Sequence, residues 1–324
     1  MQSIGRLTVY ADRDVSNAGA HADVPLLLIH SVNATASAIE MAPVFERQAS
    51  RRPLVALELP GFGSSARPAV QHTPGMMSNA IAAALAWTRS QVADVPVDVM
   101  ALSLACEFAA ETALTNPDDV RSLALISPTG MESRRAQERY EEGRTRENKW
   151  LRRLLRHPSI GPALYRLLTK RASMRWFLSR AWGTKDFDQR LLEYGRLCAG
   201  QPGAHHAPLD FVSGALFTRG IIERYRLLPM PVWVVHGQKG SFTDFKACPT
   251  HAGSVGNARP HRVTRTAFDT GSMPHCEWPE EFDAAYDRFL AGAVKSARLY
   301  TASPGRSVPG SSLRWVSPLY SNGR

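Results

Sequence analysis

Cysteine is scarce: Cys106, Cys198, Cys248 and Cys276 are the only four in 324 residues, with no C-x-x-C pair and no Cys/His metal spacing. That excludes a disulfide-stapled scaffold and predicts reduced thiols in a reducing compartment, the cytoplasm. Long apolar runs are missing too. No window approaches the ~18 residues a membrane span needs, and the opening MQSIGRLTVYADRD lacks a basic stretch followed by an apolar one. Neither a membrane span nor secretion is expected. No G-x-G-x-x-G follows a strand-like run and no loop is built to cradle phosphates, so no cofactor is expected. Acidic residues are absent from 291–324, which holds five Lys and Arg. Residues 131–226 hold 20 basic against 10 acidic, and the remainder holds 14 against 19. The basic excess thus sits in two blocks outside a mildly acidic core. No recognised nucleic-acid-binding module accompanies it, so nucleic acid is not an expected partner.

What the sequence has is a succession of strand-length apolar runs. They fall at 25–30 (PLLLIH), 54–59 (LVALEL), 97–102 (VDVMAL), 122–127 (SLALIS), 232–236 (VWVVH) and 263–268 (VTRTAF). Turns or amphipathic stretches separate them, as in parallel β-α units, and most read as strands buried on both faces. The segment after 97–102 places Phe108, Ala109, Thr112 and Ala113 on one helical face before Asn116-Pro117 stops it. Beyond Gly130 about 95 residues pass before the next strand, too many for a plain crossover. The expected organisation is a core of 1–130 and 229–290, a helical lid inserted at 131–228, and a disordered tail of Ser, Gly, Pro and Arg at 291–324. The lid's Trp150, Leu154, Tyr165, Trp176, Phe177, Trp182, Phe211 and Phe217 are expected mostly in its own packing, with some left for an apolar acyl or ring pocket.

Strand, sharp turn and helix is the setting of a nucleophile elbow, G-x-S-x-G, and VDVMALSLACEF supplies it with Ala101-Leu102-Ser103-Leu104-Ala105. The flanking positions must be small because the helix returns close to the strand, and alanine is the next smallest residue after glycine. Cys106 reads as a packed thiol rather than a second nucleophile. The adjacent His205-His206 reads as a loop pair, not a metal site.

With these segments stand Leu28-Ile29-His30-Ser31-Val32-Asn33, Glu58-Leu59-Pro60-Gly61-Phe62-Gly63-Ser64-Ser65, Val234-Val235-His236-Gly237 and Pro274-His275-Cys276-Glu277-Trp278-Pro279. In order and spacing the chain resembles the α/β-hydrolase superfamily from about residue 7 to 290. The resemblance implies an α/β-hydrolase fold, a mostly parallel sheet flanked by helices with an inserted helical lid, and Ser103 as nucleophile. It also implies an oxyanion hole formed by the backbone N–H groups of Val32 and Leu104, with His30 shaping the loop. Two departures follow. Glycine stands where the acid usually follows the late strand, leaving Asp244 in the same loop, or Asp269 after the last strand, to orient a base. Ser272 stands where the general base usually is, and only His275, three residues on, survives.

Three readings stay open. A rebuilt triad Ser103–His275–Asp244 hydrolyses an ester, thioester or lactone; or the fold performs non-hydrolytic chemistry; or it is a binding pseudoenzyme. The basic lid suits a small-molecule substrate with an anionic part, or is simply a solvated face.

Overall fold

The computed structural model describes residues 5–12, 23–131, 146–239, 245 and 263–297. Seven strands form one sheet: β1 Thr8–Asp12, β2 Leu26–Ile29, β3 Leu54–Glu58, β4 Val97–Leu102, β5 Val120–Ile126, β6 Val232–Gly237 and β7 Val263–Phe268. Their spatial order is β1-β3-β2-β4-β5-β6-β7. Every neighbouring pair is parallel except β1 with β3, where Thr8 faces Glu58 and Asp12 faces Leu54. The six expected strands are all present. β1 was not anticipated, because its half-exposed TVYAD is neither continuously apolar nor preceded by a clear turn.

Central strands form where the sequence is apolar without alternation, since each is covered on both faces. Every residue of β2, β3, β4 and β6 is buried. On one face, α2 (Pro74–Gln91) and α3 (Ala105–Thr115) close a core around Leu27, Val55, Val99, Phe108 and Leu125. Phe108, Ala109, Thr112 and Ala113 of α3 are all buried, as their spacing predicts, and Asn116 ends the helix. On the other face, the 3₁₀ turn Ala38–Met41, α1 (Ala42–Gln48) and Phe282 of the helix Pro279–Ala297 pack on Leu28, Met100 and Trp233. β7, an end strand, exposes Thr264 and Arg265.

Among the described residues, six helices lie between β5 and β6: α4 Lys149–Leu155, α5 Ile160–Leu168, α6 Arg171–Trp182, α7 Gln189–Ala199, α8 His206–Val212 and α9 Ile221–Leu227. Their aromatic residues divide. Tyr165 and Trp182 are buried, and Phe211 stacks on Phe217 at 5.4 Å, but Trp150, Trp176 and Phe177 are exposed. The expectation that these three pack inside is corrected. The described residues end with a short helix, α10 (Pro274–Glu277), and a long one, α11 (Pro279–Ala297). α11 runs past residue 290, so the helix takes in the first part of the segment expected as tail.

Candidate active site

The site is built where β4 ends. Ser103 takes φ 58°, a left-handed conformation that an L-residue adopts at a cost of order 1–3 kcal/mol. Its N–H donates to the Ile126 carbonyl at 2.8 Å and its own carbonyl accepts from the Cys106 amide at 3.1 Å, so the turn is fixed at both peptide groups. Ala101 and Ala105 are fully buried, which explains why only small residues fit two positions either side. Ser103 itself remains partly exposed. The Cys106 thiol is buried, donates to the Ala101 carbonyl at 3.2 Å, and is pushed well above its ordinary pKa by burial; it packs, as expected.

The loop after β2 is braced from within. The Ser31 N–H donates to Glu40 Oε2 at 2.8 Å, Asn33 Nδ2 donates to Glu40 Oε1 and to Ser31 Oγ, each at 2.8 Å, and the Thr35 N–H donates to Asn33 Oδ1. Val32 lies between these tethered residues and Leu104 caps α3. Among the described residues neither Val32 nor Leu104 donates its amide to another group. His30 is fully buried. Its Nε2 accepts from the Leu59 N–H at 3.0 Å, so the ring proton is on Nδ1 and donates to the Ser31 carbonyl at 2.6 Å. Burial holds its pKa down to about 4, a neutral imidazole that shapes the turn.

No hydrogen bond joins His275 to Ser103 among the described residues. Its fully buried ring donates from Nε2 to the Glu40 carbonyl at 2.9 Å, which leaves Nδ1 without a partner, and burial lowers its pKa to about 4. The three-residue offset is the reason. His275 sits within α10, which packs against α1, rather than in the segment that precedes it. That segment carries Ser272, whose carbonyl accepts from Ser127 Oγ at 2.7 Å and whose N–H donates to the Ala181 carbonyl of α6 at 2.6 Å. Asp269 forms an exposed pair with Lys239 at 2.9 Å instead of orienting an imidazole. Asp244 and Cys248 lie outside the described residues.

The family model for the alpha/beta hydrolase fold matches residues 24–159. Among solved structures the chain is similar to a serine hydrolase involved in carbazole degradation, at 17% identity over 85% of this chain and 92% of that one, with a TM-score of 0.60. It is similar to a thermophilic esterase from Thermogutta terrifontis, at 15% identity over 89% and 93%, TM-score 0.60. It also resembles the epoxide hydrolase CorEH, at 16% identity over 89% and 99%, TM-score 0.62. The chain is an α/β-hydrolase-fold protein. A search of curated proteins finds no significant match.

Three buried glutamates in this hydrolase fold were not evident as such from the sequence. Glu40 braces the loop after β2, and burial raises its pKa. Glu58 Oε2 accepts from the Ala38 N–H at 3.1 Å and lies 3.5 Å from His30 Nε2; Oε1 has no partner, and burial pushes its pKa up to about 8. Glu107, four residues after Ser103, accepts from Thr129 Oγ1 at 2.5 Å and the Thr218 N–H at 2.7 Å, tying α3 to both ends of the inserted region, with burial raising its pKa to about 7. The one local signal was Glu107's place in the otherwise apolar face of α3. His205 and His206, with ring centroids 4.1 Å apart, line a cavity of about 470 Å³ with Arg152, Arg156 and Asp210. No metal-binding group of three occurs among the described residues.

Proposed function

We propose that this protein is a serine acyl hydrolase that cleaves an ester, thioester or lactone through an acyl-enzyme on Ser103, with a degenerate triad. The observation that carries this reading is the left-handed Ser103 at φ 58°, partly exposed between a buried strand and a helix N-terminus. Ser50 and Ser127 also take positive φ, but Ser103 alone of the three sits at the turn from a buried strand into a helix, where a strained serine suits a nucleophile that must stand clear of its own backbone. In the first step Ser103 Oγ bonds to the acyl carbon. The amides of Val32 and Leu104 stabilise the oxyanion; as it collapses the acyl C–O or C–S bond breaks, and the departing alkoxide or thiolate takes up the proton that Ser103 Oγ gave up. Water then attacks the acyl-enzyme and frees Ser103. His275, held on the Glu40 carbonyl, is not the base in this scheme. A site without its base retains about 10³–10⁴-fold acceleration from the oxyanion hole and binding, so the enzyme is expected to be slow. The substrate is a small molecule with an apolar acyl or ring group, and the basic inserted region suits an anionic part.

The test is labelling by a fluorophosphonate probe, followed by intact mass. Wild type should label slowly, Ser103→Ala not at all, and His275→Gln at the wild-type rate, since glutamine keeps a donor for the Glu40 carbonyl. A hundredfold loss in His275→Gln would restore the Ser103–His275 pair. A wild type that never labels would move the reading to a binding or non-hydrolytic protein, which the engaged His275 already favours over a complete triad.

A further inference from the structure

Between residues 149 and 185 the chain carries ten Lys and Arg and no Asp or Glu. The same stretch bears the exposed apolar side chains that the packing leaves out. α6 shows how the two coincide. Its inward stripe is Met174, Leu178, Ala181 and Trp182, all packed on the sheet-side core. Trp176 follows Met174 by two residues, about 200° around a helix of 3.6 residues per turn, and so points the opposite way. It is 58% exposed, meets the 43%-exposed Phe177 edge-on at 4.8 Å, and lies under the Arg180 guanidinium at 5.8 Å. Leu167, 52% exposed, lies in the last turn of the preceding α5, which packs on α6. Arg166, Lys170, Arg175 and Arg180 are exposed and have no carboxylate partner among the described residues; Arg171 pairs with Glu193.

Solvated basic helices are common, but they do not hold a tryptophan and a phenylalanine outward between unpaired cations. Exposed aromatic residues set among uncompensated Lys and Arg match the two layers of an anionic bilayer surface, with rings at the headgroup–acyl boundary and cations at the phosphates. We propose that the outward face of α5 and α6 docks on anionic lipid bilayers. The complementary charge selects this occupant over a second copy, because two such faces would repel. No helix of the described residues is long and apolar enough to cross a membrane, so the contact is peripheral. It does not depend on Ser103 chemistry.

The experiment is co-sedimentation of the full chain with vesicles of phosphatidylcholine alone and of phosphatidylcholine with one quarter phosphatidylglycerol, at about 0.1 M salt. Wild type should pellet with the anionic vesicles only. Each basic residue near such a surface is worth about fivefold. Lys170→Glu with Arg180→Glu should therefore weaken binding by more than tenfold, and Trp176→Ser with Phe177→Ser by several-fold, both with unchanged melting temperature. Equal binding to the two vesicle types, or wild-type binding by both double variants, would overturn the proposal. So would an absence of vesicle binding together with self-association that these substitutions remove.

Discussion

Gly237 ends β6 where the chain after β7 passes closest. A Cβ built there would lie 1.6 Å from the Gly271 carbonyl oxygen and 2.4 Å from that of Thr270, both backbone atoms. Gly237→Ala should therefore lower stability by at least about 3 kcal/mol, read as a fall in the urea midpoint, because overpacking against backbone has no rotamer to relieve it. Gly63 meets a similar limit from a side chain: it sits at φ 49° and its Cβ would overlap the Glu58 carboxyl group. At this scale the sequence was legible where a constraint is local. The small residues around Ser103 and the glycine-rich turn after β3 announce their geometry because neighbours along the chain impose it. His275 was not legible. Its partner, the Glu40 carbonyl, is 235 residues away, and nothing around Pro274-His275-Cys276-Glu277 says which way the ring will turn.

At the amino ends of the strands an ionic knot joins four segments. Asp98 in β4, fully buried, accepts from Arg52 Nη2 at 2.6 Å, Arg121 Nε at 2.8 Å and Ser122 Oγ at 2.6 Å. Arg52 also donates to the Val24 and Pro25 carbonyls. Asp98→Asn would leave Arg52 buried without its counter-charge and should cost about 3–5 kcal/mol of unfolding free energy. Because the knot lies at the end of β4 opposite Ser103, the probe-labelling rate of the folded fraction should not change. That combination, a large stability loss with intact labelling, separates a structural role from a catalytic one. The strand carrying Asp98 was readable from VDVMAL despite its acid, since five apolar neighbours outweigh one polar residue at the strand's edge. What the acid does there was not readable, because both arginines come from other elements. The helices between β5 and β6 were foreseen from spacing alone, yet spacing misjudged Trp150, Trp176 and Phe177. Aromatic residues suit a core and an interface equally well, and only packing separates the two.

The stability of the whole molecule should peak between acid and alkaline limbs set by buried ionisable groups. His30 and His275 have folded pKa values near 4, below the ordinary 6.5, so the unfolded chain takes up more protons as pH falls from 6.5 to 4 and stability is lost over that window. Glu58 and Glu107, raised to about 8 and 7, act with the opposite sign. The folded protein keeps protons that the unfolded chain releases, so stability declines as pH rises from about 4.5 to 8. The two windows overlap and offset each other between pH 4.5 and 6.5, so denaturant midpoints from pH 4 to 9 should trace a broad maximum between about pH 5 and 6. Glu58→Gln keeps an acceptor for the Ala38 amide and should flatten the alkaline limb by a few kcal/mol between pH 5 and 8, and because its window overlaps that of the histidines it should make the acid limb below pH 6.5 steeper. An alkaline limb unchanged in that variant would mean that Glu58 ionises freely in the folded state. None of these carboxylates was visible as a buried group in the sequence, where a glutamate reads as surface until distant segments close over it.

The ionic knot around Asp98 has a consequence for change at the site. Much of the scaffold's ionic bracing lies at the amino ends of the strands, away from the carboxyl end of β4 that carries Ser103, so a change beside Ser103 leaves that bracing untouched. Substitution at position 272 or its neighbours can therefore be tolerated by the scaffold and altered independently of it.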